Sequence, residues 1–248
     1  MPPLDCQSLG SDPFAEFDEW LDRSLKTLPS SVRILLCWDE YEKLQQTLDA
    51  EWGDQLLDYL RHLLQHRPQI VPLFSGVRTF DDQGPAWTVR FVNARRIRVG
   101  RLSRDEVRPL LTRPIPEFDL TYVPEALDAL LNATAGQPFL TQATAYELVN
   151  WMNRNERKQA TVEDVRQAID LALDSGAEYF ANVWHDAGDD GRALLHALVT
   201  NQPPQASPTV YKRLREQEIL DNDNRFLVPM VQTWIHRRCQ DQDPSTPS

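Results

Sequence analysis

Residues 32–40 read Val-Arg-Ile-Leu-Leu-Cys-Trp-Asp-Glu, a short apolar run that ends on two adjacent carboxylates. An amphipathic stretch from Leu48 to Gln65 follows, and then a second apolar run, Gln69-Ile-Val-Pro-Leu-Phe-Ser75. Strand, helix, strand with short connections predicts a parallel pair joined by a right-handed crossover. In sheets of this kind ligands bind outside the carboxyl ends of the strands. Asp39 and Glu40 therefore stand where acids can hold a hydrated Mg²⁺ and polarise a water. Taken alone, the same pair serves as readily to cap a helix.

Phosphate chemistry at such a site needs a loop of the form Gly-x-x-x-x-Gly-Lys-Ser/Thr, whose amides and lysine take the phosphate charge. None of the nine glycines precedes a lysine, and 38 residues come before Asp39. The chain reads as a nucleotide-hydrolysing core that begins after its own phosphate loop. A sheet built from it would leave the Ile70–Phe74 edge exposed.

The balance of 26 Lys+Arg against 37 Asp+Glu gives a net charge of −11, which repels a nucleic-acid backbone at long range. Cys6, Cys37 and Cys239 are far apart and in no metal-ligand spacing, as expected of reduced thiols in the cytoplasm. No apolar stretch is long enough for a membrane helix, and no signal peptide is legible. The five histidines make no metal-ligand pattern with acids or cysteines.

Local signals place a helix over Asp12–Leu28, with Ser11 or Asp12 as its cap, and a turn at Asp81–Pro85. Ile97-Arg98-Val99 alternates like a short strand. From Ser103, which forms a capping box with Glu106, the chain turns helical. Helices are expected at Val123–Thr134, Gln137–Asn153, Thr161–Leu173, Glu178–His185, Asp190–Thr200, Thr209–Gln217 and Pro229–Arg238. Asp221-Asn-Asp-Asn224 between two apolar triplets is hairpin chemistry. Helix, helix, hairpin, helix outlines a winged helix, and Gln240–Ser248 reads as a disordered tail.

Together these features resemble the STAND class of AAA-related P-loop ATPases, signalling ATPases with numerous domains, and within it the archaeal-type, AAA-like proteins. The matching residues are the Walker B strand Ile34–Glu40, the sensor 1 stretch Phe74-Ser75-Gly76-Val77-Arg78 and the lid sequence Ala135-Gly136-Gln137-Pro138-Phe139-Leu140. The resemblance implies a predominantly helical α/β chain. Residues 1–102 would be a partial nucleotide-binding core with a parallel sheet, 103–176 a helical lid, 177–239 a winged helix and 240–248 a tail. It implies ATP or ADP with Mg²⁺ as cofactors. Asp39 would stand in the metal shell, Glu40 would orient water, and Arg78 or Ser75 would sense the γ-phosphate. Gly136 and Pro138 would lie at the base.

The function expected on this footing is nucleotide-gated signalling or protein assembly, with a protein partner or self-association and no hydrolysis by this chain alone. The alternatives are a degenerate, non-catalytic interaction module and a DNA-binding regulator resembling the origin-recognition ATPases. Lys212, Arg213 and Arg215 lie where a winged helix would read DNA, yet Glu216 and Glu218 follow at once. The arginines at 90, 95, 96, 98 and 101 form an anion-binding face, a source of arginine for a neighbouring subunit's site, or a solvated face.

Overall fold

A computed structural model describes residues 12–48 and 52–241, which fall into two compact units divided between Ile97 and Arg98. The first unit opens with helix α1 (Pro13–Lys26), capped by Asp12 through the Ala15 amide at 3.1 Å. Pro13 suits the first turn, where its missing N–H has no partner to lose. Strand β1 (Ile34–Asp39), a 3-10 turn at Tyr41–Thr47, helix α2 (Gly53–His66) and strand β2 (Ile70–Ser75) follow. The strands pair in parallel, from Ile34 opposite Ile70 to Asp39 opposite Ser75.

Alternation then sorts the side chains. Ile34, Leu36, Trp38, Ile70 and Phe74 join a core with Leu21 of α1 and Leu57, Leu60 and Leu63 of α2. Each fully buried leucine contributes roughly 1.5–3 kcal/mol of transfer free energy, so this face dominates the unit's stability. Arg67, just past α2, forks onto Asp18 and Asp22 of α1. The helix expected from Leu48 starts later, at Gly53: Leu48 closes the 3-10 turn and Trp52 is the N-cap, while residues 49–51 lie outside the described residues.

Two expectations fail in the next stretch. The turn anticipated at Asp81–Pro85 is instead the junction of two short helices, α3 (Phe80–Gln83) and α4 (Pro85–Arg90). Thr79 and Asp82 form a capping box, and Gly84 at φ +95° bends the chain before Pro85 starts the next helix. Ile97-Arg98-Val99 forms no strand. Ile97 and Val99 stay largely exposed, and no described strand lies beside them to supply a ladder.

The second unit is almost wholly helical. Its helices are α5 (Arg104–Thr112), α6 (Pro124–Thr134), α7 (Pro138–Arg154), α8 (Val162–Ser175), α9 (Ala177–Asp186), α10 (Gly188–Val199), α11 (Pro208–Glu216) and α12 (Pro229–Asp241). Capping boxes start α5 (Ser103 with Glu106) and α8 (Thr161 with Asp164), as the sequence announces. Two strands of two residues, β3 (Thr121–Tyr122) and β4 (Gln159–Ala160), pair in parallel and have no sequence forewarning. The hairpin turn forms at Asp221, whose carboxylate accepts from the Asp223 and Arg225 amides. Its ladder is a single antiparallel bridge, Leu220 to Phe226.

One core of this unit gathers Val107, Leu130, Leu148 and Val165. The other gathers Leu140 of α7 and Leu173 of α8 with Phe180, Leu194, Leu214 and Ile235 of the last four helices. Gln240 and Asp241 end α12, and the rest of the expected tail, 242–248, lies outside the described residues.

Asp164 is the polar hub of this unit, 4% exposed. It accepts from the Trp151 indole at 3.0 Å, from the Thr161 amide and hydroxyl at 2.9 and 2.7 Å, and from Arg157. Removing it strands a half-buried indole N–H and a helix cap at once. Asp164→Ala should therefore lower stability by about 3 kcal/mol or more. A loss below about 1 kcal/mol in urea denaturation followed by Trp fluorescence would show that the hub is dispensable.

Candidate functional site

The parallel register brings Asp39 and Ser75 side by side at the carboxyl ends of β1 and β2. The Ser75 hydroxyl donates to Asp39 Oδ1 at 2.8 Å, and the Glu40 amide donates to the same oxygen at 3.1 Å. Among the described residues Oδ2 has no bond and faces an exposed surface. Glu40 sits at φ +51°, left-handed, a conformation that costs a non-glycine residue roughly 1–2 kcal/mol. Its carboxylate pairs with Lys43.

Behind this pair the turns after the two strands are tied together by residues that sequence reasoning passed over. The Tyr41 hydroxyl donates to the Arg78 carbonyl at 2.6 Å, and the Val77 amide donates to Glu42 Oε1 at 3.1 Å. A Cβ on Gly76 would lie 1.9 Å from Glu42 Oε2, so a side chain there would push the Glu42 carboxylate off the Val77 amide. Tyr41 is buried among Phe74, Phe80 and Trp87, and Trp87 in turn donates to Gln45 at 2.9 Å. The backbone of Arg78 is thus fixed, while its side chain is exposed. A Tyr-Glu pair just after the acids and a glycine just after the strand were the available signals.

Gly136 and Pro138 belong to the second unit and carry plain local roles there. Ala135 and Gly136 are both left-handed and end α6, and a Cβ on Gly136 would lie 1.9 Å from the Leu102 carbonyl. Gln137 caps α7 through the Leu140 amide at 3.0 Å, with Pro138 in its first turn. Beside Gly136 lies an open cleft of about 510 Å³, walled by Leu102, Ser103, Val107, Leu131 and Asn132. Most of the basic run is occupied. Arg90 pairs with Asp54 and Asp58, Arg96 with Asp81, Arg98 bonds the Glu216 carbonyl and Arg101 the Ala135 carbonyl. On α11, Arg213 is spent on the Ala187 carbonyl at 2.7 Å and Lys212 lies 3.7 Å from Glu216.

The donor set fits one of the two implied cofactors. Mg²⁺ keeps much of its water and takes one or two carboxylates besides phosphate oxygens, and the free Oδ2 of Asp39 supplies one such ligand. Among the described residues no group of three or more His, Cys, Asp or Glu could cage a metal by itself. The triphosphate does not fit these residues alone. Asp39, Glu40 and Glu42 surround the end of β1 with negative charge, and no glycine-rich run of amides opposes them.

No family model matches this chain, and no curated protein sequence matches it. Among solved structures it is similar to the Walker-type ATPase paby2304 of Pyrococcus abyssi, with a TM-score of 0.55 and 15% identity. The match covers 94% of this chain and 69% of that one. At this identity the likeness shows the fold: a helix-rich, ATPase-like architecture with small parallel sheets.

Burial first, and then the Glu42 and Asp82 charges, push the Tyr41 phenol up to about 12. In the unfolded chain it ionises near its ordinary value of 10. The raised folded value means that Tyr41 contributes its full stability below pH 10 and loses it as pH climbs from 10 through 12. Tyr41→Phe should flatten the alkaline limb of the stability–pH curve over that window. An unchanged limb would assign the loss to other groups, Tyr122 among them, which burial also raises to about 12.

Proposed function

We propose that the chain is an ATPase-like regulatory module of the signalling-ATPase kind, in which a magnesium-bound nucleotide engages the carboxyl end of the two-stranded sheet. The observation that carries this reading is Asp39, oriented by Ser75 and the Glu40 amide with its second oxygen free. In this reading Asp39 holds the metal's water shell, Glu40 orients a water, Ser75 and Arg78 respond to phosphate, and Gly136 and Pro138 border the base. Magnesium, when bound, supplies the positive charge that these carboxylates lack. The module works in the cytoplasm, and its output goes to a protein partner or a second copy. Helices α9 to α12 with the Asp221 turn act as a winged helix turned to protein contact.

Calorimetry with Mg-ATP tests this reading. With no amide cradle the affinity should be no tighter than about 1 mM. It should need Mg²⁺, vanish in Asp39→Ala and come with no turnover. Micromolar affinity, or turnover abolished by Glu40→Gln, would place a phosphate cradle inside this chain. The complete absence of a magnesium-dependent signal would leave the non-catalytic interaction module as the function.

DNA reading is disfavoured by the occupied Arg213, by the Lys212–Glu216 pair and by the net charge of −11. A gel-shift titration in about 150 mM salt should find no duplex binding at micromolar protein. Binding that weakens steeply with added salt would overturn this.

A further inference from the structure

The outward face of the first unit's sheet is apolar and bare. Its two columns run Leu35, Cys37, Asp39 on β1 and Val71, Leu73, Ser75 on β2. Leu35 is 56%, Val71 42% and Leu73 43% exposed. Both strands read as near-continuous apolar runs, the pattern of parallel strands buried on two faces, whereas here one face is open. The chain therefore encodes a cover for this face that the described part of the first unit does not supply.

The edge of β2 is not where that cover attaches. The Ile34 amide donates to the Gln69 carbonyl at 2.7 Å. In a parallel pair alternate residues turn both backbone groups to the same neighbour. Gln69, Val71 and Leu73 therefore face β1, and Ile70, Pro72 and Phe74 face outward. Proline has no N–H to offer, and the Ile70 amide already donates to Arg67 at 2.8 Å. Phe74 alone of the three keeps a free donor, so a strand added there would be left short of partners.

Charge complementarity selects a helix and its direction. The face ends on Asp39 and begins beside Arg33, whose guanidinium donates to the Ser30 carbonyl at 2.9 Å and keeps its charge, while Glu40, next to Asp39, is paired with Lys43. A helix running antiparallel to the strands brings its positive N-terminus to the acids and its negative C-terminus to the arginine. Six residues of strand span about 20 Å, the length of roughly thirteen residues of helix. We infer that the Leu35–Leu73 face docks an amphipathic helix of about this length from a partner protein, laid antiparallel to β1 and β2 with an apolar stripe toward the sheet. This inference needs neither metal nor phosphate, although its helix would end at Asp39 and Glu40, the acids that the nucleotide reading gives to magnesium, so the test below is run without nucleotide.

Cys37 lies in the middle of the face and reports on it. In the full chain carrying Cys6→Ser and Cys239→Ser, its alkylation by iodoacetamide is followed with and without a synthetic helical peptide of about fourteen residues. The peptide has a free amino terminus and leucines spaced i, i+3, i+4, i+7. At ten times its Kd it should slow alkylation about tenfold, and a scrambled peptide of equal composition should not. Leu73→Glu, or Leu35→Gln should the first variant fail to fold, should abolish the protection while leaving the thiol reactive.

Equal protection by the scrambled peptide, or none at millimolar peptide, would overturn the inference. So would slowing by protein concentration alone together with a dimer in sedimentation, which would make a second copy the occupant. Hydrogen-exchange protection of the Leu35 and Cys37 amides by the peptide, with the thiol still reactive, would overturn it in favour of a strand added at the open edge of β1.

Discussion

The in-phase pairing of two six-residue parallel strands governs the first unit. Because Ile34 meets Ile70 without offset, every odd-numbered residue of both strands lies on one face and every even-numbered residue on the other. A slip of one residue would turn Leu36 and Trp38 out of the core and Cys37 into it. The same phase sets Trp38 against Phe74, stacked at 5.2 Å, and Asp39 against Ser75, bonded at 2.8 Å. Core, bare face and candidate site are three consequences of one register. The pairing also explains how Pro72 is tolerated within a strand, since its missing N–H falls on the side away from β1.

The second unit is held differently. Three of its helices, α5, α8 and α7, begin where a side chain takes the first free amides: Ser103 and Thr161 with their partner acids, and Gln137 before Pro138. Hydrogen bonds from Ser103 hold the Glu106 carboxyl below its usual range, the electrostatic signature of a working cap. Asp164 caps α8 while buried, and adds the Trp151 indole and Arg157 to its partners, so a local cap becomes a tertiary joint between α7 and α8. The core of Leu140, Leu173, Phe180 and Ile235 then runs from α7 to α12.

What the sequence revealed follows from which interactions are local. Capping boxes, Pro at helix starts and the 3.6-residue apolar period lie within a few residues, and the helices they announce form within three residues of expectation, except α2, which starts at Gly53 and not at Leu48. The parallel pair was legible because both runs are uniformly apolar and a single helix separates them. Pairings across distance were not legible. β3 and β4 are two residues each and find one another only because α6, α7 and α8 bring Thr121 and Gln159 together. Ile97-Arg98-Val99 misled for the converse reason, since alternation without a neighbouring strand has nothing to bond. At the site, Asp39, Glu40 and Ser75 could be read from strand ends. The clamp of Tyr41, Glu42 and Gly76 could not, because it depends on where two turns meet.

That clamp bears on how the site could respond to a ligand. Arg78 is presented from a backbone held at its carbonyl by Tyr41 and at the preceding amide by Glu42. An anion drawing on the guanidinium pulls against those two bonds. Tyr41 packs on Trp87, and Trp87 is bonded to Gln45 in the turn that follows Glu40, so the Arg78 backbone and the segment that carries Glu40 rest on one aromatic support. Glu40 itself holds a left-handed conformation at φ +51°. The carboxyl end of the sheet is therefore coupled to its own core through aromatic packing. Charge alone would not do this, because the surrounding acids repel the anion that Arg78 would attract.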